Sequence, residues 1–119
     1  MAIAAAGALL WPSMATADCA GAADHLAQLD CLETTYAKAD AELNAIWPDV
    51  LASHPSGGMV EQHKADIRAA QRAWIAFRDA DCTALMKVGI PKYWRANELR
   101  CLIDHTRART VALSDAYLG

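Results

Sequence analysis

The sequence predicts an all-α fold, a small antiparallel three-helix bundle with a short disulfide-tied N-terminal arm. Three observations carry that expectation. Apolar residues recur at helical spacings of three and four along three long stretches, and no stretch alternates in the period of a strand. Strong breakers separate the stretches, first His54-Pro55-Ser56-Gly57-Gly58 and then Gly89 with Pro91. Four cysteines in 119 residues offer two cross-links to a single small domain whose 55% apolar composition is enough for a core.

Residues 1–17, MAIAAAGALLWPSMATA, contain no charged side chain, run apolar through Trp11 and close on Ala15-Thr16-Ala17, the small-x-small pattern of a signal-peptidase site. They are expected to be an export signal cleaved before Asp18, which leaves 18–119 as one helical domain. The missing Lys or Arg after Met1 departs from the usual positive start and points to a signal truncated at its beginning. The competing reading is a short buried N-terminal helix. Thr16-Ala17-Asp18 ahead of Cys19 lacks the pattern of a lipid-attachment site.

Residues 19–29 are expected to form a short turn or helical arm held through Cys19. Asp30-Cys31-Leu32-Glu33 has the form of a capping box, and Leu32, Tyr36, Ala39, Leu43, Ile46 and Val50 then repeat on one face, so the first helix is placed at 31–53. Pro48 removes a backbone donor and disfavours helical geometry at Trp47, which predicts a kink or an early stop. The second helix is placed at 59–86 with Ile67, Ala70, Trp74, Phe77 and Leu85 facing the core. The third is placed at 95–118, with Leu99, Leu102, Thr106, Arg109, Leu113 and Tyr117 on one stripe. Short connections gather the start of the first helix, the end of the second and the start of the third at one end.

The cysteines, Cys19, Cys31, Cys82 and Cys101, are separated by 12, 51 and 19 residues. No CxxC occurs, which argues against zinc-ribbon and thioredoxin-type chemistry. Three pairings are open. Cys19 with Cys31 and Cys82 with Cys101 is favoured, because each closes a short loop across a helix junction and each restrains the unfolded chain by roughly 3 kcal/mol.

Net charge is −3, unevenly spread: residues 18–61 carry eight acids and one base, and residues 62–119 six acids and ten bases. The halves attract one another, and the acidic remainder suits a cationic partner. A nucleic-acid partner is not expected, since it calls for the opposite sign. The mature chain contains no transmembrane segment by hydropathy.

Several polar residues fall on the apolar stripes. Asp40 and Asn44 lie one turn apart on the first helix, Gln71 and Arg78 flank Trp74 on the second, and Arg109 sits on the stripe of the third. An Asp facing one or two Arg in a partly buried site is expected to latch the three helices in register. The alternative is a site for a small anion or for acid-base work. It lacks a nucleophile, a nearby His and a second carboxylate at a defined spacing, so no catalytic residue is assigned and an enzyme is not expected. Asp79 and Asp81, two apart on a helix, point different ways and read as a solvated face. His25, His54, His63 and His105 fall in separate elements without a ligand pair, so neither metal nor cofactor is expected. Lys92-Tyr93-Trp94-Arg95 places two aromatics between bases beside a cysteine, in the manner of interface anchors. Its plainer role is a lid of Tyr93 and Trp94 on the core.

CLETTYAKADAELNAIW (31–47), IRAAQRAWIAFRDADC (67–82) and the spacing of Thr106, Arg109 and Leu113 together resemble the lysozyme inhibitor LprI-like family, across residues 19–117. The most specific parts are Asp40, Leu43 and Asn44 with Gln71, Trp74, Arg78, Asp79 and Cys82. The resemblance implies an exported, disulfide-bonded helical domain of bacterial envelopes, periplasmic or secreted, and for some members inhibition of lysozyme. Trp47 stands where Tyr is more usual, and the lipid-anchor cysteine of lipoprotein-type members is absent. The matching residues are those assigned to structure, so inhibition has to come from the surface. Lysozymes are typically cationic with an acidic pair in a deep cleft, which an acidic bundle can approach and occlude with a loop. The candidate loops are the 54–58 turn, through His54 and Ser56, and Lys92, Tyr93, Trp94 and Arg95. The runner-up function is an envelope structural or stress-related binding protein with another partner.

Overall fold

The computed structural model describes residues 19–119; the export signal expected at 1–17 lies outside the described residues. Helix α1 spans His25–Leu51, α2 spans Val60–Leu85 and α3 spans Trp94–Leu113. A 3-10 turn, Pro91–Tyr93, leads into α3, and a π-helical turn, Ser114–Leu118, follows it. Among the described residues there is no strand.

α1 begins six residues before the expected boundary. Its N-cap is Asp24, whose carboxylate accepts from the Ala27 amide at 2.8 Å, and Asp30 lies within the helix. Nothing between His25 and Leu29 breaks a helix, and Leu29 packs on the core formed by Cys19, Leu32, Ala96, Leu99 and Ile103. The earlier acid therefore takes the cap, and the arm shrinks to the turn around Cys19. That turn is anchored by the Cys19–Cys31 disulfide, with Cα atoms 5.3 Å apart.

Pro48 does not end α1 at Trp47. The helix runs on to Leu51 and closes with Ala52 N–H donating to Pro48 O and the Ser53 hydroxyl donating to Val50 O at 2.7 Å. Packing outweighs the proline: Leu43 and Val50, with Ile46, Trp47 and Leu51 beside them, close on Ile67 of α2 and Leu113 of α3. The connection to α2 turns at Gly57 (φ 106°) and Gly58 (φ 77°), left-handed positions that favour glycine.

α2 shows the largest departure from the sequence expectation. Ala70, Phe77 and Leu85 are exposed rather than core, and the buried line is Ile67, Gln71, Arg78 and Cys82, with Trp74 half-buried among them. The Cys82–Cys101 disulfide fixes the rotation of α2 on α3. Phe77, turned outward, meets the His105 ring edge-on at 5.6 Å.

α3 is the central element. Near its start Ala96, Leu99 and Ile103 pack on Leu32 of α1; near its end Leu113 packs on Val50. Hence α1 and α3 run parallel with α2 antiparallel to both, and both disulfides lie at one end. α3 packs extensively on α1 and less on α2, while α1 and α2 touch little. The attachment of α2 therefore rests on a narrow, partly polar stripe and one covalent bond.

Candidate partner-binding surface and the polar seam

The seam between α2 and α3 is built around Trp74. Arg78 stacks on its indole at 5.0 Å and Arg109 at 5.7 Å, and Arg78 also lies 5.9 Å from the Tyr36 ring of α1. Arg109 Nε donates to Gln71 Oε1 at 2.9 Å, and Arg78 Nη1 donates to the buried Thr106 hydroxyl at 3.3 Å. Arg78 takes its carboxylate from Asp79, the next residue, at 3.0 Å. The expected latch through Asp40 does not form: Asp40 accepts instead from Asn44 Nδ2 at 3.2 Å, on the exposed side of α1. An adjacent acid partly open to water neutralises the guanidinium with less desolvation than a buried acid on another helix.

The seam thus joins Gln71, Trp74, Arg78 and Arg109 but leaves Asp40 and Asn44 to one another. Thr106, placed by sequence on the α3 stripe, is the missed partner of Arg78. Asp79 and Asp81 are more than a solvated face, because Asp79 holds Arg78 and Asp81 Oδ2 lies 2.7 Å from His105 Nε2. Cys82, Cys101 and His105 converge to metal-ligating distances. The two sulfurs are joined to each other, however, and offer no thiolate.

Burial beside this seam pushes the Tyr36 phenol above its ordinary value, Arg78 opposes the shift and Asp40 adds to it. The unfolded chain releases its proton first, near pH 10.0. The associated stability is therefore complete below that pH and falls as pH rises through the higher native value. A spectrophotometric titration should find one of the three tyrosines ionising late, and Tyr36→Phe should remove that late step.

At the disulfide end, residues 86–93 form a knuckle between α2 and α3. Asn97 Nδ2 donates to Met86 O at 3.2 Å, Trp94 Nε1 donates to Gly89 O at 2.9 Å and Tyr93 N–H donates to Ile90 O at 3.0 Å. Trp94 and Arg95 are consequently occupied. Trp94 opens α3 with its indole turned back onto the knuckle. Arg95 bonds Glu33 at 2.8 Å and Glu98 at 2.7 Å, and the Glu98 hydrogen bond leads in pushing the guanidinium pKa upward. Tyr93 is exposed, with Lys92 over its face at 5.5 Å and the His25 ring edge-on at 5.5 Å. An open groove of about 700 Å³ runs beside the knuckle between Gln28, Leu85, Val88, Tyr93, Asn97 and Arg100. The other candidate loop lies at the opposite end of the bundle. His54 and Ser56 are exposed there on a glycine turn, and the nearby Ser53 hydroxyl contacts His63 Nε2 at 3.2 Å.

A family model described as lysozyme inhibitor LprI matches residues 15–113. The chain belongs to that family. The LprI match takes in all three helices, both disulfides and the knuckle, and ends at the last residue of α3. Neither a curated protein nor a solved structure matches the chain. At family level, membership implies lysozyme-inhibitor activity, and with it a protein partner.

Proposed function

We propose that this LprI-family protein is exported and binds and inhibits a lysozyme-type cell-wall hydrolase, acting as an inhibitor rather than an enzyme. The family match over residues 15–113 carries the reading. Two disulfides support a periplasmic or secreted location, because such bonds persist in oxidising compartments. No helix among the described residues is long and apolar enough to cross a membrane.

The polar seam supports a structural role for Gln71, Trp74, Arg78 and Arg109, whose polar groups contact one another and Thr106. Inhibition then belongs to the surface, with the 54–58 turn and the 92–95 segment as its candidates. The acidic N-terminal half gives long-range attraction to a cationic enzyme, with Asp30, Glu42 and Asp49 exposed along α1.

Calorimetric titration of a c-type and a g-type lysozyme with the oxidised protein tests the reading. One-to-one binding to at least one enzyme, weakened by added salt, is the expected result. Absence of binding to both at high protein concentration would favour the runner-up, an envelope structural or stress-related protein with a different partner.

A further inference from the structure

The two candidate loops differ in what they offer a cleft. The 54–58 turn presents His54, Ser56 and two glycines, and next to it a single large apolar side chain, Met59, is exposed. The knuckle groups three exposed apolar residues within six positions: Val88 is 74% exposed, Ile90 59% and Tyr93 42%. Lys87 and Lys92 flank them, both exposed and, among the described residues, neither within ion-pair distance of a carboxylate. Exposed apolar side chains grouped on a short, rigid connection and rimmed by charged ones mark an interaction site, and Tyr93 is of the residue type that anchors interfaces.

Rigidity comes from the surroundings. The Cys82–Cys101 disulfide ties the ends of α2 and α3 just behind the knuckle, and the Asn97 and Trp94 side chains hold the Met86 and Gly89 carbonyls. A segment already ordered loses little conformational freedom on binding.

From these observations we infer that residues 87–93, with Val88 and Ile90 at the tip and Lys87 and Lys92 beside them, are the segment that enters the acidic catalytic cleft of the lysozyme. This rests on the inhibitor reading above and shifts the contact away from Trp94 and Arg95, which the fold already employs. The partner's chemistry follows from charge. A glycosidase of this kind keeps two carboxylates across its cleft, and the two lysines supply the matching cations. Arg100 in the adjoining groove adds a third, against Asp104 as the one carboxylate lining it. Asp24, exposed and next to His25, whose ring meets Tyr93, lies by the knuckle, and with the exposed Asp30 of α1 it supplies the acidic flank for the cationic rim of the enzyme. The acidic flank thus guides the approach and the basic tip makes the contact.

The test compares inhibition of c-type lysozyme by the full oxidised protein and by three variants. Val88→Glu with Ile90→Glu removes the apolar tip and adds charge that the cleft repels; it should raise the inhibition constant at least about 30-fold, the scale of a lost interface centre. Lys87→Glu with Lys92→Glu should raise it about tenfold through faster dissociation, while the association rate stays salt-dependent because the acidic flank guides the approach. Ser56→Glu at the opposite end should change it by less than about twofold. All four positions at the knuckle are exposed, so helicity and melting temperature should match the parent. In a companion measurement, lysozyme saturated with the parent protein should no longer bind a soluble trimer of N-acetylglucosamine, a cleft ligand. A parent that inhibits while both knuckle variants inhibit equally well overturns this inference and leaves the inhibitor reading intact. Continued binding of the trimer does the same. A parent that fails to inhibit overturns both.

Discussion

Removing the Cys82–Cys101 cross-link, as Cys82→Ala with Cys101→Ala, should lower the unfolding free energy by about 3 kcal/mol and the melting temperature by roughly 15 °C. The 19-residue separation it closes contributes through the unfolded chain, and the folded state adds to the effect. α2 meets α3 along Ile67, Gln71, Trp74, Arg78 and Cys82 and touches α1 little, so this disulfide is its main fastening at the knuckle end. Loss of the bond should release the last turns of α2 before the rest unfolds. Amide exchange should then accelerate between residues 78 and 93 while α1 and the start of α3 stay protected. Cys19–Cys31 closes a loop of similar size. Its loss should free the Cys19 turn and leave α2 in place. Thermal unfolding with site-resolved hydrogen exchange on both double variants checks the difference.

Arg78→Ala should cost about 3 kcal/mol, the scale of emptying a large, packed side-chain site. Arg78 is 8% exposed; its guanidinium stacks on Trp74 and Tyr36 and supplies the hydrogen bond to the fully buried Thr106. Its carboxylate partner Asp79 is more than half exposed, so the ion pair itself contributes little beyond the stack. Arg78→Met, which keeps the volume, should therefore recover roughly half of the loss. Arg78→Lys keeps the charge but loses the planar stack and should fare no better than Met. Urea midpoints at constant slope measure all three. A lysine variant near the parent with a methionine variant near alanine would show that charge, rather than packing, holds the seam.

The three helices and their direction follow from features with little ambiguity: helical spacing, a Pro-Ser-Gly-Gly turn, and Gly89 with Pro91. Loop length favours the observed pairing of the cysteines but leaves three pairings open, and the choice is made only when the helix ends meet in the fold. The start of α1 is harder to read, because Asp24 and Asp30 both suit an N-cap and the choice depends on Leu29 finding a core on α3. Pro48 is overruled in the same way by the packing of Trp47 and Val50.

The rotation of α2 shows where hydropathy fails. Ranking by apolarity turns Ala70, Phe77 and Leu85 inward, whereas the spacing of Gln71, Trp74, Arg78 and Cys82 marks the true inner face, because Cys82 has to reach Cys101. Arg78 has its acid beside it in sequence, and its Thr106 partner emerges only when α2 lies on α3. Val88 and Ile90 are masked in sequence by the breakers around them. Their exposure depends on Trp94 and Asn97 folding back on the loop, which periodicity does not reveal.

The most direct measurement is the rate at which a c-type lysozyme clears a bacterial cell-wall suspension as oxidised protein is added, with reduced and alkylated protein alongside. The lysis rate should fall with dose and approach zero near one inhibitor per enzyme, and the reduced protein should have little effect. Undiminished lysis by both c-type and g-type enzymes at a large molar excess of folded, oxidised protein would contradict the inhibitor reading.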